Sequence, residues 1–275
     1  MRIIQRSNVK VLGEGPRTLV FLHGFGSDQT AWWPVAREFQ KDHRIVLFDH
    51  VGFGGSDRLA YTYERHGALD GYALDLLEIL QRLDLGPVTA IGHSVGGVIA
   101  LLASIVRPAD FAQLVLVNTS PHFIDEPPDY TGGFSRQQIA SLLRLMETDY
   151  DAWARSVAPL AVGRDNDPQL IESFGQALHS LDRLIAQRFG RLAFYVDCRA
   201  RLDEVTVPAL VVQSMHDEFA PVAIGRYLHR RLRGSTLAEV DVSGHCPHLT
   251  SPALLTATLR EHLDGAGSRL GSALR

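Results

Sequence analysis

The sequence predicts a doubly wound α/β fold, in which helices cover both faces of a mainly parallel sheet. Two observations predict it: short apolar runs alternate with helical patterns along most of the chain, and the alternation stops in one long helical block. Continuous apolar runs are typical of strands covered on both faces, whereas half-exposed strands alternate between apolar and polar residues. The 275 residues are enough for one large domain that carries an insertion.

Strands and helices are predicted from these patterns. Residues 3–11 alternate and precede a glycine-rich turn, which favours an antiparallel hairpin at the sheet edge. The apolar runs that predict the other strands are residues 19–22, 45–48, 88–91, 114–117, 209–213 and 237–242. Helical patterns fill the intervals at residues 31–39, 69–83, 95–106, 222–232 and 252–263. This order predicts right-handed crossovers between parallel strands.

Residues 122–196 break the alternation. Helical patterns at 135–147, 150–161, 168–178 and 182–194 are separated there by breakers rich in Gly, Pro, Asp and Asn. Ser135 is placed to cap the first of these helices. We therefore expect a helical lid, inserted at the carboxyl end of the sheet between core segments 1–121 and 197–264. The tail, residues 265–275, is rich in Gly, Ser and Arg, and we expect it to be disordered.

Composition argues against several classes of protein. A formal net charge of −4, with arginines scattered among acidic residues, gives no basic stripe for nucleic acid. The first residues lack the apolar core of a secretory signal, and the longest apolar stretch, residues 95–106, is too short to cross a membrane. Cys198 and Cys246 form no Cys-x-x-Cys pair, so we expect reduced thiols in a cytoplasmic protein.

The most informative motif is Gly-His-Ser-Val-Gly at residues 92–96, between a predicted strand and a predicted helix. A serine on such a sharp turn presents its hydroxyl as a nucleophile. We expect strand and helix to approach so closely at the two glycines that larger side chains would collide. Ser94 is therefore the candidate nucleophile.

A serine hydroxyl is a weak nucleophile at neutral pH and needs a base within hydrogen-bond reach. Asp217 follows the strand predicted at 209–213, and His245 follows the strand predicted at 237–242. The chain order nucleophile, acid, histidine indicates a catalytic triad in which Asp217 orients the imidazole of His245.

Alternatives remain at each position. Asp217 also fits the N-cap of the helix that follows it, and Glu218 is a rival acid. His248 is a rival base. His216, Asp217, His245 and His248 together form a weaker alternative, a metal site. Because the triad already explains two of them, we expect neither a metal nor a cofactor.

Acyl transfer also needs backbone N–H donors that face the developing oxyanion. The loop after the strand at 19–22 reads His-Gly-Phe-Gly and supplies one donor, while the residue after the nucleophile supplies another. The candidates are Phe25 and Val95, and an ordinary glycine turn is the alternative for the loop. The glycine-rich stretch at 52–56 lacks the spacing of a nucleotide-binding loop and is interpreted as a turn.

Four motifs together resemble the RsbQ-like branch of the α/β-hydrolases, which includes a bacterial stress-response regulator and the plant karrikin and strigolactone receptors. They are His-Gly-Phe-Gly-Ser-Asp-Gln at 23–29, the serine motif at 92–96, His-Asp-Glu-Phe-Ala-Pro at 216–221 and Gly-His-Cys-Pro-His at 244–248. The resemblance implies a mostly parallel sheet of eight strands and a four-helix lid over a hydrophobic pocket.

The resemblance also implies roles for individual residues: Ser94, Asp217 and His245 as the triad, and Phe25 and Val95 as oxyanion donors. Aromatic side chains would line the pocket, with core packing as the alternative for each. They are Phe25, Phe134, Trp153, Phe189, Phe194 and Phe219.

Members of this branch hydrolyse small esters or lactones, and several signal through a protein partner. We therefore expect a serine hydrolase of a small hydrophobic ester or lactone, with no nucleic-acid or membrane partner. The alternative is a receptor-like protein that binds or slowly hydrolyses a small ligand and acts through a regulatory protein.

Overall fold

The computed structural model describes residues 3–272, and the side chains of residues 3–263. Seven strands in this region form one sheet. In chain order they are β1 (Lys10–Leu12), β2 (Arg17–Leu22), β3 (His43–Leu47), β4 (Val88–His93), β5 (Phe111–Val117), β6 (Ala209–His216) and β7 (Thr236–Ser243). Their spatial order is β1-β3-β2-β4-β5-β6-β7, and all pairs are parallel except β1 with β3. The predicted mainly parallel sheet is confirmed.

The start of the chain differs from the prediction. Residues 3–11 form no hairpin with β2, because Ile3–Arg6 is a helical turn and β1 pairs with β3 instead. The turn buries Ile3 in the core, and Asn8, whose φ is 46°, redirects the chain toward β1. The described sheet therefore has seven strands rather than the eight expected.

Twelve α-helices are assigned in the described residues. They are α1 (Ile3–Arg6), α2 (Trp33–Ala36), α3 (Tyr63–His66), α4 (Leu69–Arg82), α5 (Val95–Val106), α6 (Arg136–Thr148), α7 (Tyr150–Val162), α8 (Pro168–His179), α9 (Arg183–Tyr195), α10 (Val222–Arg231), α11 (Pro247–Thr250) and α12 (Pro252–Ser272). The single helix predicted at 31–39 is instead α2 flanked by two 3₁₀ turns. Pro34 lies in this segment and has no N–H with which to continue a helical ladder.

Each face of the sheet packs against its own helices. Along β2, Val20 and Leu22 contribute to a cluster with α4 and α5, whereas Leu19 and Phe21 contribute to a cluster with α2 and α12. Successive side chains of a strand point to opposite faces, so a strand that is apolar at every position serves both cores. This confirms the physical reason for predicting strands from unbroken apolar runs.

Helices α6–α9 lie between β5 and β6 and form a third apolar cluster, which also contains Phe123 and Phe219. Each helix begins at a side-chain cap: Ser135, Asp149, Asp167 and Asp182 accept hydrogen bonds from the first turns of α6, α7, α8 and α9. The predicted cap at Ser135 is confirmed, as part of a capping box with Gln138. Local polar residues thus set where these helices begin, and apolar contacts set how they pack.

The last helix, α12, extends to Ser272, whereas the sequence predicts a disordered tail from residue 265. Residues 273–275, and the side chains after Leu263, lie outside the described part of the chain. Among the described helices, none is both long and apolar enough to cross a membrane.

Candidate active site

Ser94 occupies the turn between β4 and α5 in a strained backbone conformation, with φ of 53° and ψ of −123°. Such a conformation costs a residue with a side chain about 1–3 kcal/mol and persists where the surroundings enforce it. Here the Ser94 N–H donates to the carbonyl oxygen of Val117 in β5 at 2.9 Å, which fixes the turn to the sheet. In this conformation Ser94 lies at the floor of a cavity.

The glycines on either side of Ser94 are required by close packing. A Cβ atom on Gly92 would lie 2.5 Å from the Cα of Gly97, and one on Gly96 would lie 2.6 Å from the carbonyl oxygen of His23. Real Cβ atoms do not approach backbone this closely. The predicted reason for glycine at both positions is confirmed.

Three side chains predicted from the sequence meet at this floor. His245 Nε2 lies 2.8 Å from Ser94 Oγ, and His245 Nδ1 lies 2.7 Å from Asp217 Oδ2. Because a carboxylate oxygen accepts the Nδ1–H, Nε2 carries the lone pair and accepts the Ser94 hydroxyl. This arrangement can withdraw a proton from Ser94 when the hydroxyl attacks a carbonyl carbon.

The two rival acids have different surroundings. The side chain of Asp217 is fully buried, and its Oδ1 accepts the backbone N–H groups of Phe219 and Ala220 at 2.8 and 3.0 Å. Helix α10 begins after Pro221 without a side-chain cap, so Asp217 is not its N-cap. Glu218 is exposed, and its Oε1 lies 3.4 Å from Nε of Arg164, in the loop after α7. Asp217 is therefore the acid that faces His245.

The rival base, His248, is buried away from Ser94. Its ring stacks on Trp32 with centroids 4.6 Å apart, and neither ring nitrogen has a hydrogen-bond partner among the described residues. Burial, followed by the positive potential of His245 and His23, lowers the pKa of His248 to about 3. His248 therefore packs as a neutral ring, and His245 faces the nucleophile.

The backbone carbonyl of His245 is held by two core side chains that the sequence analysis missed. His93 Nε2 donates to it at 2.7 Å and Asn118 Nδ2 at 3.0 Å. Asn118 Oδ1 in turn accepts the N–H of Ser214 at 2.8 Å. Burial lowers the pKa of His93 well below its ordinary value, which keeps it neutral. A polar residue directly after an apolar strand, as Asn118 is after β5, is the sequence signal that points to such a role.

The two candidate oxyanion donors border the same site. Within the described residues, the backbone N–H groups of Phe25 and Val95 have no hydrogen-bond partner. Val95 opens α5, so the positive end of the helix dipole lies beside Ser94. The loop of Phe25 is held by His23, whose Nε2 accepts the N–H of His50 at 3.0 Å and whose Nδ1–H donates to Gly24.

Above the floor lies a small, mostly apolar cavity with a free volume of about 40 Å³. Lid residues form much of its wall. The lining residues are Phe25, His93, Ser94, Phe123, Val157, Ala161, Phe174, Leu178, Ala193, Phe194, Phe219, His245 and Cys246.

Burial and the charge of Asp217 raise the pKa of the Cys246 thiol, so this second potential nucleophile stays protonated.

The six aromatic side chains predicted for the pocket lie in different places. Phe25, Phe194 and Phe219 line the cavity. Phe134, Trp153 and Phe189 do not. Phe134 faces a groove on the outer side of α6, and Trp153 is fully buried behind Phe25. Phe189 packs into the core against Tyr72 and Phe53. The sequence places Trp153 and Phe189 on helices and Phe134 just before one, but it does not fix which of these side chains faces the cavity.

The four residues of the alternative metal site do not converge. His216 lies at the surface, 3.1 Å from Asp241, while Asp217 and His245 bond to each other. In the part of the chain that the structure describes, the one group with three potential ligand atoms within 4.8 Å of one another is His122, Glu126 and Asp197. Both of its carboxylates pair with Arg199, so that group is an ion-pair cluster at the base of the lid.

The chain is similar to known proteins over nearly its whole length. The chain matches the family model for the alpha/beta hydrolase fold over residues 17–252. Karrikin insensitive 2 receptor CA of Petunia hybrida is 37% identical over 96% of this chain and 98% of that protein. Strigolactone esterase D14 of Arabidopsis thaliana is 37% identical over 95% and 97%, respectively. A solved hydrolase from Oleispira antarctica has a TM-score of 0.93 at 35% identity and covers 95% of this chain and 96% of that chain.

The fold and its serine turn define an α/β hydrolase, and the chain belongs to that family. The resemblance to the karrikin and strigolactone receptors is confirmed by relatives that match nearly the whole chain.

Proposed function

We propose that this protein is a serine hydrolase that cleaves a small hydrophobic ester or lactone through an acyl-enzyme. The observation that carries the proposal is the hydrogen-bonded series Ser94, His245 and Asp217 at the floor of an apolar cavity. No residue that lines the cavity carries a permanent charge. An uncharged, apolar substrate therefore suits it better than an anion or a cation.

The first half of the reaction forms the acyl-enzyme. Ser94 Oγ bonds to the carbonyl carbon as its proton moves to His245 Nε2, and Asp217 stabilises the resulting imidazolium. The N–H groups of Phe25 and Val95 receive the oxyanion. The tetrahedral intermediate then collapses: the ester C–O bond breaks, and His245 returns the proton to the departing oxygen. In a lactone the new hydroxyl stays on the acyl group.

The second half releases the product. Water attacks the acyl carbon while His245 Nε2 takes its proton, and the bond to Ser94 Oγ breaks as the proton passes to that oxygen. The chain's own residues supply every proton transfer in both halves, so the proposal invokes no metal or cofactor. The two free, buried cysteines support a cytoplasmic location.

Hydrolysis of p-nitrophenyl acetate and butyrate tests this function. We expect wild-type protein to release p-nitrophenol and Ser94→Ala to lose at least about 1,000-fold in kcat, because no nucleophile remains. Ser104→Ala is the matched control, since Ser104 is a buried serine of α5 that bonds only its own helix, at Leu101. Equal turnover by wild type and Ser94→Ala would contradict the proposal.

The second candidate function is a receptor that acts through a regulatory protein. What favours it is the full-length similarity to proteins named as karrikin receptors. Ser94→Ala retains the cavity and should therefore still bind ligand and partner while it no longer hydrolyses. Pull-down from the native cells, with ligand present and absent, tests this role. Fast turnover with no stable partner would count against it.

A further inference from the structure

The end of lid helix α7 lies directly against the loop that carries His245. The backbone N–H of His245 donates to the carbonyl oxygen of Ala161, in the last turn of α7, at 2.8 Å. The approach is so close that a Cβ atom on Gly244, whose φ is 96°, would lie 2.1 Å from the carbonyl oxygen of Val162. Helix and loop therefore meet backbone to backbone, without intervening side chains.

Asn166 joins these two segments a second time. Its Nδ2 donates to the carbonyl oxygen of Val162 at 2.7 Å and to that of Ser243 at 2.9 Å. Both partners are carbonyl oxygens, so only the amino end of the amide fits between them. One carbonyl ends α7 and the other ends β7. We call this arrangement the Asn166 bridge.

The bridge divides the support of His245 between core and lid. On the carbonyl side of His245, the hydrogen bonds come from His93 and Asn118 in the core. On the N–H side, the partner is Ala161 in the lid. A shift of α7 would therefore displace the peptide that carries the imidazole. A displacement of about 1 Å at a reacting group can cost on the order of 100-fold in rate.

We propose that Asn166 is a positioning residue, which fixes the end of α7 to the His245 loop so that Ser94 is activated only while the lid is seated. This inference rests on the proposed hydrolase function and assigns its control to the lid. Asn166 touches neither the cavity nor Ser94, so its influence passes through the backbone of residues 243–245. Any ligand or partner that moves α7 would thereby change the rate of hydrolysis.

The test compares Asn166→Ala with Asp149→Ala. Asp149 caps the opposite end of the same helix, where it accepts the N–H of Ala152 at 2.9 Å. Each substitution removes side-chain hydrogen bonds to the backbone of α7, but only the first removes the bridge. Two rates are measured: hydrolysis of p-nitrophenyl acetate and covalent labelling of Ser94 by diethyl p-nitrophenyl phosphate. Labelling forms the bond from Ser94 Oγ to phosphorus and expels p-nitrophenolate, and it needs His245 as base.

We expect Asn166→Ala to lower both kcat and the labelling rate by about tenfold or more, with KM changed by less than about twofold. Asp149→Ala should leave both rates within about twofold of wild type, because the loss of a cap affects helix stability. If Asn166→Ala fails to fold by circular dichroism, Asn166→Asp replaces it. That isosteric variant sets carboxylate oxygens against two carbonyls and should show the same loss.

Two outcomes would overturn the inference. Folded Asn166→Ala and Asn166→Asp with wild-type rates would show that the bridge does not position His245. Equal losses in Asn166→Ala and Asp149→Ala would show that lid stability alone is responsible. A wild-type protein that neither hydrolyses the ester nor accepts the label would instead remove the proposed function, on which the inference rests.

Discussion

The floor and the wall of the cavity are built in different ways. The floor consists of Ser94, Asp217 and His245, which follow the carboxyl ends of β4, β6 and β7. Hydrogen bonds hold these residues to the sheet, to neighbouring loops and, at the N–H of His245, to the end of α7. The wall comes largely from the lid, where Val157, Phe174 and other apolar side chains pack in a separate cluster.

The two regions differ in how strictly the positions of their side chains are fixed. Hydrogen bonds are directional, and a lost or misplaced partner at the floor leaves a buried polar group unpaired. Apolar contacts have little directionality and tolerate replacement by side chains of similar volume. We therefore expect substitutions in the floor to change rate and substitutions in the wall to change substrate preference.

The largest effect should come from the acid of the floor. Asp217→Asn should lower kcat by on the order of 10,000-fold, since an amide cannot hold the Nδ1–H tautomer of His245 as the carboxylate does. The neighbouring Glu218→Gln is the matched control, because Glu218 is exposed and pairs with Arg164. The kcat of ester hydrolysis, measured on the two purified variants, shows which of the two carboxylates supports the reaction. A greater loss in Glu218→Gln would reverse the assignment of the acid.

Acid should destabilise the region beneath the floor. Burial lowers the pKa values of His23, His50, His93 and His248, the last to about 3. Below about pH 6.5 these histidines bind protons in the unfolded chain but remain neutral in the folded protein. The free energy of unfolding therefore falls as pH falls. For each such histidine, the slope reaches about 1.4 kcal/mol per pH unit between its unfolded and folded pKa values.

Urea unfolding at several pH values between 7.5 and 5 measures this slope. His248→Phe should retain the stacking on Trp32. It should also make the dependence of the free energy of unfolding on pH shallower, by up to the contribution of one bound proton. His216→Gln, at the exposed histidine paired with Asp241, serves as the surface control. An unchanged slope in His248→Phe would mean that the His248 ring becomes protonated in the folded protein.

The smallest effect should come from the wall. Phe174 lines both the cavity and an outer groove beside Gly26, so Phe174→Ala should open space for longer acyl chains. We expect the ratio of kcat/KM for p-nitrophenyl octanoate to that for the acetate to rise about tenfold, the low end of what one accommodated methylene contributes. Phe134→Ala, outside the cavity, should leave the ratio unchanged. A larger change in Phe134→Ala would support the pocket that the sequence predicts over the one the structure shows.

Much of the fold was predictable because its signals are local. Apolar runs predicted the strands β2–β7, and the breakers after β5 predicted the four lid helices, as the structure confirms. The start of the sheet was not predictable by the same means. Alternation over residues 3–11 suits a strand, yet burial of Ile3 against the core favours a helical turn there.

The chain by itself determined the serine turn and the order of Ser94, Asp217 and His245, because these follow from residue types at strand ends and from the steric need for glycine at positions 92 and 96. Only the tertiary structure decided that His245 rather than His248 faces Ser94, and Asp217 rather than Glu218 faces His245. Residues one or three positions apart in a loop differ in direction, and sequence periodicity does not fix the path of a loop. The partners that reach each side chain come from distant parts of the chain, so packing made these choices.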